Sequence, residues 1–146
     1  MSIKVMDGAR TLAGATATAD IPIANYANAN TMNSTGVDMK DHFELLVALI
    51  GGVVTGTAVV TLYAQESNEA AANFTNIASA TATLTAAAES NLSKWISVNW
   101  KHPDRKRYAR VSGVVSVANA AFYGALTLRV GPHGGAVTAD GALTEA

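Results

Sequence analysis

The segment that most narrows what this chain can fold into is LLVALIGGVVTGTAVVTLYA, residues 45–64, twenty residues without a charged side chain. A run of that length could span a bilayer, which takes about 20 apolar residues in a helix. Its chemistry argues the other way. Gly51, Gly52 and Gly56 sit among Val and Thr in its middle, and both choices weaken a helix, glycine through backbone entropy and β-branched residues through restricted side-chain rotation. No cluster of Lys or Arg flanks either end as a cytoplasmic anchor would favour. The segment therefore predicts two buried strands, over 42–50 and 57–65, joined as a hairpin by a glycine turn.

Period-two alternation recurs along the chain. In AFYGALTLRV (121–130), Phe122, Leu126, Leu128 and Val130 share one face and Tyr123, Thr127 and Arg129 the other, the pattern of a half-buried strand. In KWISVNW (94–100), Ile96, Val98 and Trp100 oppose Trp95, Ser97 and Asn99. RVSGVVSV sends Val111, Val115 and Val117 one way and Ser112 and Ser116 the other. Weaker strand signals lie over 21–26 and 81–86, and the run 69–72 after Ser67 and Asn68 supports at most one helical turn. About seven or eight short strands at such spacing, with no αβ alternation and no internal repeat, predict an antiparallel sandwich or barrel.

At 146 residues the chain is one domain's worth, enough to bury roughly two thirds of its unfolded surface. The lack of cysteine rules out disulfides and thiolate metal sites and suits a reducing cytosol. No apolar run precedes Asp7, so no signal peptide is expected, and the sequons at Asn33, Asn73 and Asn91 are read as chance. Charged residues are 14% of the chain, against about 25% in an ordinary soluble domain. With a net charge of −1 there is little to hold copies apart, so self-association or attachment to an assembly is expected. Residues 1–36 and 131–146 are small and polar, the composition of arms that order against a neighbour.

No catalytic set is spelled out. His42, His102 and His133 lack metal-binding spacing, and the glycine run lacks the Lys-Ser/Thr of a phosphate loop. Asp38, Asp41 and Glu44 are the densest acidic group, but no glycine between them makes the turn a calcium loop needs. Neither an enzyme nor a cofactor is expected. The outstanding feature is KHPDRKRYAR (101–110), which carries Lys101, Arg105, Lys106, Arg107 and Arg110, five of the chain's ten basic residues. Pro103-Asp104 marks a turn and a strand follows. Three uses remain open for this segment: a solvated or internally paired strand end, a contact with an acidic protein surface, and a nucleic-acid site. The last would ask for a broader basic surface with interleaved aromatics.

The order of features, the 45–64 segment followed by ESNE (66–69), NFTNI, KWISVNW, RKRYARVSGVV with its R-Y-x-R (107–110), and AFYGALTLRVGP, resembles small head proteins of tailed bacteriophages. In particular it looks like the capsid cement or decoration proteins with a jelly-roll fold, over residues 38–132. The resemblance implies an all-β protein, an antiparallel β-sandwich of jelly-roll type with extended N- and C-terminal arms: an arm with one strand over 1–36, a sandwich over 37–132 and a tail over 133–146. It implies a non-enzymatic virion protein, made in the host cytoplasm, that sits on the outer capsid surface and cements neighbouring major capsid subunits. Its partners would be the major capsid protein and itself, as homodimer or homotrimer, with no membrane and no nucleic acid. Lys101, Arg105, Lys106, Arg107 and Arg110 become candidate capsid contacts. The alternatives are a carbohydrate- or receptor-binding sandwich, for which Trp95, Tyr123 and Tyr26 could serve, and a nucleic-acid-binding protein with steep salt dependence.

Overall fold

The computed structural model describes residues 15–26, 31–54, 57–85, 92–116 and 121–131. Within them the chain forms nine strands: β1 (Ala15–Tyr26), β2 (Thr31–Asn33), β3 (Val37–Asp38), β4 (Glu44–Val54), β5 (Val59–Ser67), β6 (Thr75–Thr85), β7 (Ser93–Asn99), β8 (Tyr108–Ser116) and β9 (Ala121–Val130). There is no helix among the described residues, hence none long and apolar enough to cross a membrane. One sheet has the order β1-β9-β4-β7; the other runs β2-β8-β5-β6, with β3 also on β8. Every pairing is antiparallel.

Only β5 and β6 form a hairpin; β1 to β2, β3 to β4, β4 to β5, β6 to β7, β7 to β8 and β8 to β9 all pass from one sheet to the other. That is a jelly roll, two Greek keys wrapped into a double sheet. It corrects the expected 42–65 hairpin. Both halves are strands, but β4 pairs with β7 and β9 while β5 pairs with β6 and β8 in the facing sheet. Gly51 and Gly52 lie inside β4, not in a turn. Gly51 is small for a tertiary reason: its N–H donates to the Leu92 carbonyl at 3.0 Å, and a Cβ there would collide with that oxygen and with Leu84 Cδ1.

The sheets close on Leu45, Val47 and Leu49 from β4, Val60 and Leu62 from β5, Leu84 from β6, Ile96 and Val98 from β7, and Val111 and Val115 from β8. Alternation places these on the inner faces. The N-terminal segment departs from the expected arm from residue 15 onward: β1 pairs along β9, and Ile21 and Tyr26 are buried in the core. Residues 1–14 and 132–146, with the expected tail, lie outside the described residues. The 68–74 segment is a loop rather than a helical turn. The Ser67 hydroxyl accepts the Glu69 N–H at 3.0 Å and donates to the Ala72 carbonyl at 2.6 Å, so the serine serves a turn within the loop.

β9 turns its other face inward. Tyr123 and Thr127 are buried, whereas Leu126 and Leu128 are half-buried on the outside, beside Ala48 and Leu46 of β4. The aromatic ring decides this: Tyr123 packs on Tyr26 with centroids 4.8 Å apart, over Gly113 of β8, where an added Cβ would stand 2.7 Å from the Tyr123 hydroxyl. Glycine leaves the room that the phenol fills. The hydroxyl itself is buried and unpaired, and burial, with Tyr26 adding to it, pushes its pKa up to about 12. Tyr123→Phe should therefore raise stability, by about 1 kcal/mol, because the unmet hydrogen bond disappears at nearly constant volume. Thermal melts of the two proteins measure it.

Candidate functional site

The basic stretch occupies one end of the sandwich, in the β7–β8 loop (100–107) and the start of β8. Trp100 anchors that loop: its N–H donates to the Phe43 carbonyl at 2.8 Å and its indole Nε1–H to the Lys106 carbonyl at 2.9 Å. The same end carries β3 and the 68–74 loop, because β8 pairs with β3 at Ala109 and with the end of β5 at Glu66 and Ser67.

Each of the five cations is engaged by the protein itself. Arg107 forks onto Asp38, with Nη2 2.7 Å and Nε 3.1 Å from Oδ2. Arg105 Nη1 lies 3.3 Å from Glu66 Oε2, an ion pair without hydrogen-bond geometry; the same oxygen accepts the Lys106 N–H at 3.3 Å. The Lys106 ammonium donates to the Thr75 hydroxyl at 3.0 Å. Arg110 donates to Gln65 Oε1 at 2.6 Å and stands 4.4 Å over the Phe74 ring. Lys101 stands 5.1 Å over the Phe43 ring. Of the three uses open from sequence, the internally paired strand end is the one this geometry describes. The strand starts at Tyr108, so Arg105 and Arg107 belong to the loop and not to a strand face.

Asp38 is the node of this end. Its hydrogen bond from Arg107 outweighs the burial that opposes it and holds the carboxyl below the usual carboxylate range, while its carbonyl accepts Arg129 Nη1 at 3.2 Å. The same hydrogen bond raises Arg107, and burial lowers Arg110. Burial, aided by the Arg129 guanidinium, pushes the His42 imidazole below its ordinary value; its Nδ1 is buried without a partner. Asp38 and Glu44 of the acidic group look to separate partners, Arg107 and Ser97. Among the described residues no three His, Asp or Glu side chains gather to hold a metal.

The depressed His42 and Asp38 take up a proton more readily in the unfolded chain, so stability should fall as pH falls. The His42 contribution is present above its unfolded value, near 6.5, and is lost as pH drops through the lower folded value. The Asp38 contribution goes in the same way below 3.8. Melting temperatures from pH 8 to pH 3 should decline in those two stages, and His42→Gln should remove the first.

Two concave features accompany the basic end. A cavity of ≈ 320 Å³ is lined by Phe43, Glu44, Ser97, Asn99 and Lys101. A cleft of ≈ 290 Å³ lies between the edges β6 and β7, lined by residues 77–80, Ser97, Val98, Asn99, His102 and Arg105. The cleft exists because β6 bulges. Tyr63 pairs with Thr81 but Gln65 with Asn76, so β6 has extra residues there, and Ser79 takes φ 63°. Of the aromatics considered for ligand binding, Tyr26 and Tyr123 are core residues, and Trp95 is 61% exposed on the outer face of β7. The alternation of KWISVNW foretells that orientation. The grouping of Glu44 and Lys101 with Ser97 and Asn99 has no sequence signal, since it needs the pairing of β4 with β7.

No family model and no curated protein matches the sequence. Among solved structures, the PBSX exported protein XepA is 16% identical with a TM-score of 0.61, over 93% of this chain and 44% of that one. This chain thus spans less than half the length of that protein. The infectious bursal disease virus VP2 subviral particle follows at 11% identity and TM-score 0.44 (84% and 33% covered), and a CBM4 module at 9% and 0.42 (82% and 79% covered). The chain is an all-β, antiparallel sandwich of jelly-roll type, and that fold is what it shares with XepA.

Proposed function

We propose that this chain is a non-enzymatic structural protein of a phage particle, bound to the outer capsid surface and cementing neighbouring major capsid subunits. The observation that carries the reading is the jelly roll shared along 93% of the chain with an exported protein of the phage PBSX, on a chain of unusually low charge. The basic end supports it in a particular way. Its cations are cross-braced to Asp38, Glu66, Gln65 and Thr75, which makes a stiff end wall suited to a fixed protein contact. A phosphate-binding loop would keep its charges unspent for counterion release. Lys101 and Arg107 are the most exposed of the five and lead the contact, with Lys106 beside them.

Co-sedimentation with phage heads stripped of the protein, run beside a DNA-binding assay across salt, tests this. Saturable binding to heads, as homodimer or homotrimer, and none to DNA is expected. DNA binding without head binding would overturn the reading. Lys106→Glu, which breaks no ion pair, should weaken head binding; binding equal to wild type would remove the basic loop from the interface.

A further inference from the structure

We propose that the outer surface of the β4–β7 pair is a binding site for a short neutral oligosaccharide, adjoining the shell-binding end and sharing Lys101 with it. The flat platform is Trp95, 61% exposed on a sheet face. Ser97 and Asn99 follow on the same face of β7, about 7 and 13 Å farther along at the rise of an extended strand. There the surface dips into the ≈ 320 Å³ cavity formed with Phe43, Glu44 and Lys101. An aromatic face beside a concavity with a few convergent polar groups is the general form of a small-molecule site.

The polar groups are held in place before any ligand arrives. Ser97 Oγ donates to Glu44 Oε1 at 2.7 Å, and the Lys101 N–H donates to Asn99 Oδ1 at 2.9 Å. With Oδ1 so engaged, Asn99 offers its Nδ2 as a donor; Glu44 Oε2 offers an acceptor, and the Lys101 ammonium over Phe43 offers donors. One carboxylate and one ammonium leave the site without net charge, which disfavours phosphates and acidic peptides. A short oligosaccharide matches both halves: the C–H face of one ring lies on the indole, while the hydroxyls of a ring farther along β7, each donor and acceptor, bridge the carboxylate, amide and ammonium.

A second copy of the chain fits this face less well. Leu46, Ile50, Leu126 and Leu128 on it are already half-buried, with Leu46 opposite Leu128 in register.

The test is a glycan array probed with the full chain, followed by a tryptophan-fluorescence titration with the strongest glycan. Saturable binding to neutral glycans is expected, at least tenfold weaker for Trp95→Ala and several-fold weaker for Asn99→Ala, with unchanged melting temperature for Trp95→Ala. An array without signal, or hits that survive Trp95→Ala, would overturn the proposal. So would Trp95→Ala turning an oligomer into a monomer in sedimentation velocity with no glycan bound. Trp95→Ala that still binds stripped heads like wild type while losing glycan confirms that the indole platform serves the sugar and not the shell.

Discussion

Leu62→Ala should lower the unfolding free energy by about 3–5 kcal/mol, the cost of a buried leucine truncated in a packed core. Leu62 lies mid-strand in β5, fully buried, between Gly113 of β8 and Ala82 of β6 in register. Its Cδ2 is one of the atoms that crowd the Gly113 position, along with the Tyr123 hydroxyl and Ile21 Cδ1. The hole cannot collapse easily, because two hydrogen-bonded strands fix the backbone on either side. A fall in melting temperature of about 10–20 °C is expected. Leu126→Ala is the internal comparison: half-buried on the outer face, it should cost about 1 kcal/mol. Equal losses for the two variants would mean that β9 faces the other way.

Glu66→Ala should cost about 2–3 kcal/mol, a large effect for one residue near the surface. The Glu66 and Arg105 side chains are only 12% and 21% exposed, so the pair is shielded from the screening that makes exposed pairs weak. Removing the carboxylate leaves Arg105 half-desolvated without a counter-charge and strips the Lys106 N–H of its acceptor. The β7–β8 loop then loses its brace to β5. Urea denaturation measures the loss, and adding Arg105→Met to Glu66→Leu should recover most of it, since the uncompensated charge goes too. A Glu66→Ala protein as stable as wild type would show that the loop is held by Trp100 and Asp38 alone.

The brace bears on how much of the site the sequence could show. The cluster KHPDRKRYAR is visible at once, but its neutralisation is not, because Asp38 lies 69 residues from Arg107 and Glu66 lies 40 from the Lys106 N–H. A charge run and a set of internal ion pairs look alike until strands bring the carboxylates over. ESNE, which carries no structural reading in the sequence, straddles the end of β5 and the loop after it. Glu66 holds the basic loop, Ser67 closes a turn and Glu69 accepts Asn73 Nδ2 at 2.8 Å.

Period-two patterning by itself determined that this is an all-β chain, and it set Val111 and Val115 apart from Ser116 and Trp100 apart from Trp95, of which the structure buries Val111, Val115 and Trp100. Those assignments are local, since alternate side chains of a strand must point to opposite faces. The tertiary structure alone decided which strands pair and which face of β9 is buried. A hairpin and an arch between two sheets present the same sequence, two strands each burying one face around glycines, so residues 45–64 could not distinguish them. Nor could AFYGALTLRV reveal that Tyr123 goes inward, because the space for its ring is left by Gly113 on another sheet. Alternation fixes two faces; only the partner across the core determines which of them is inside.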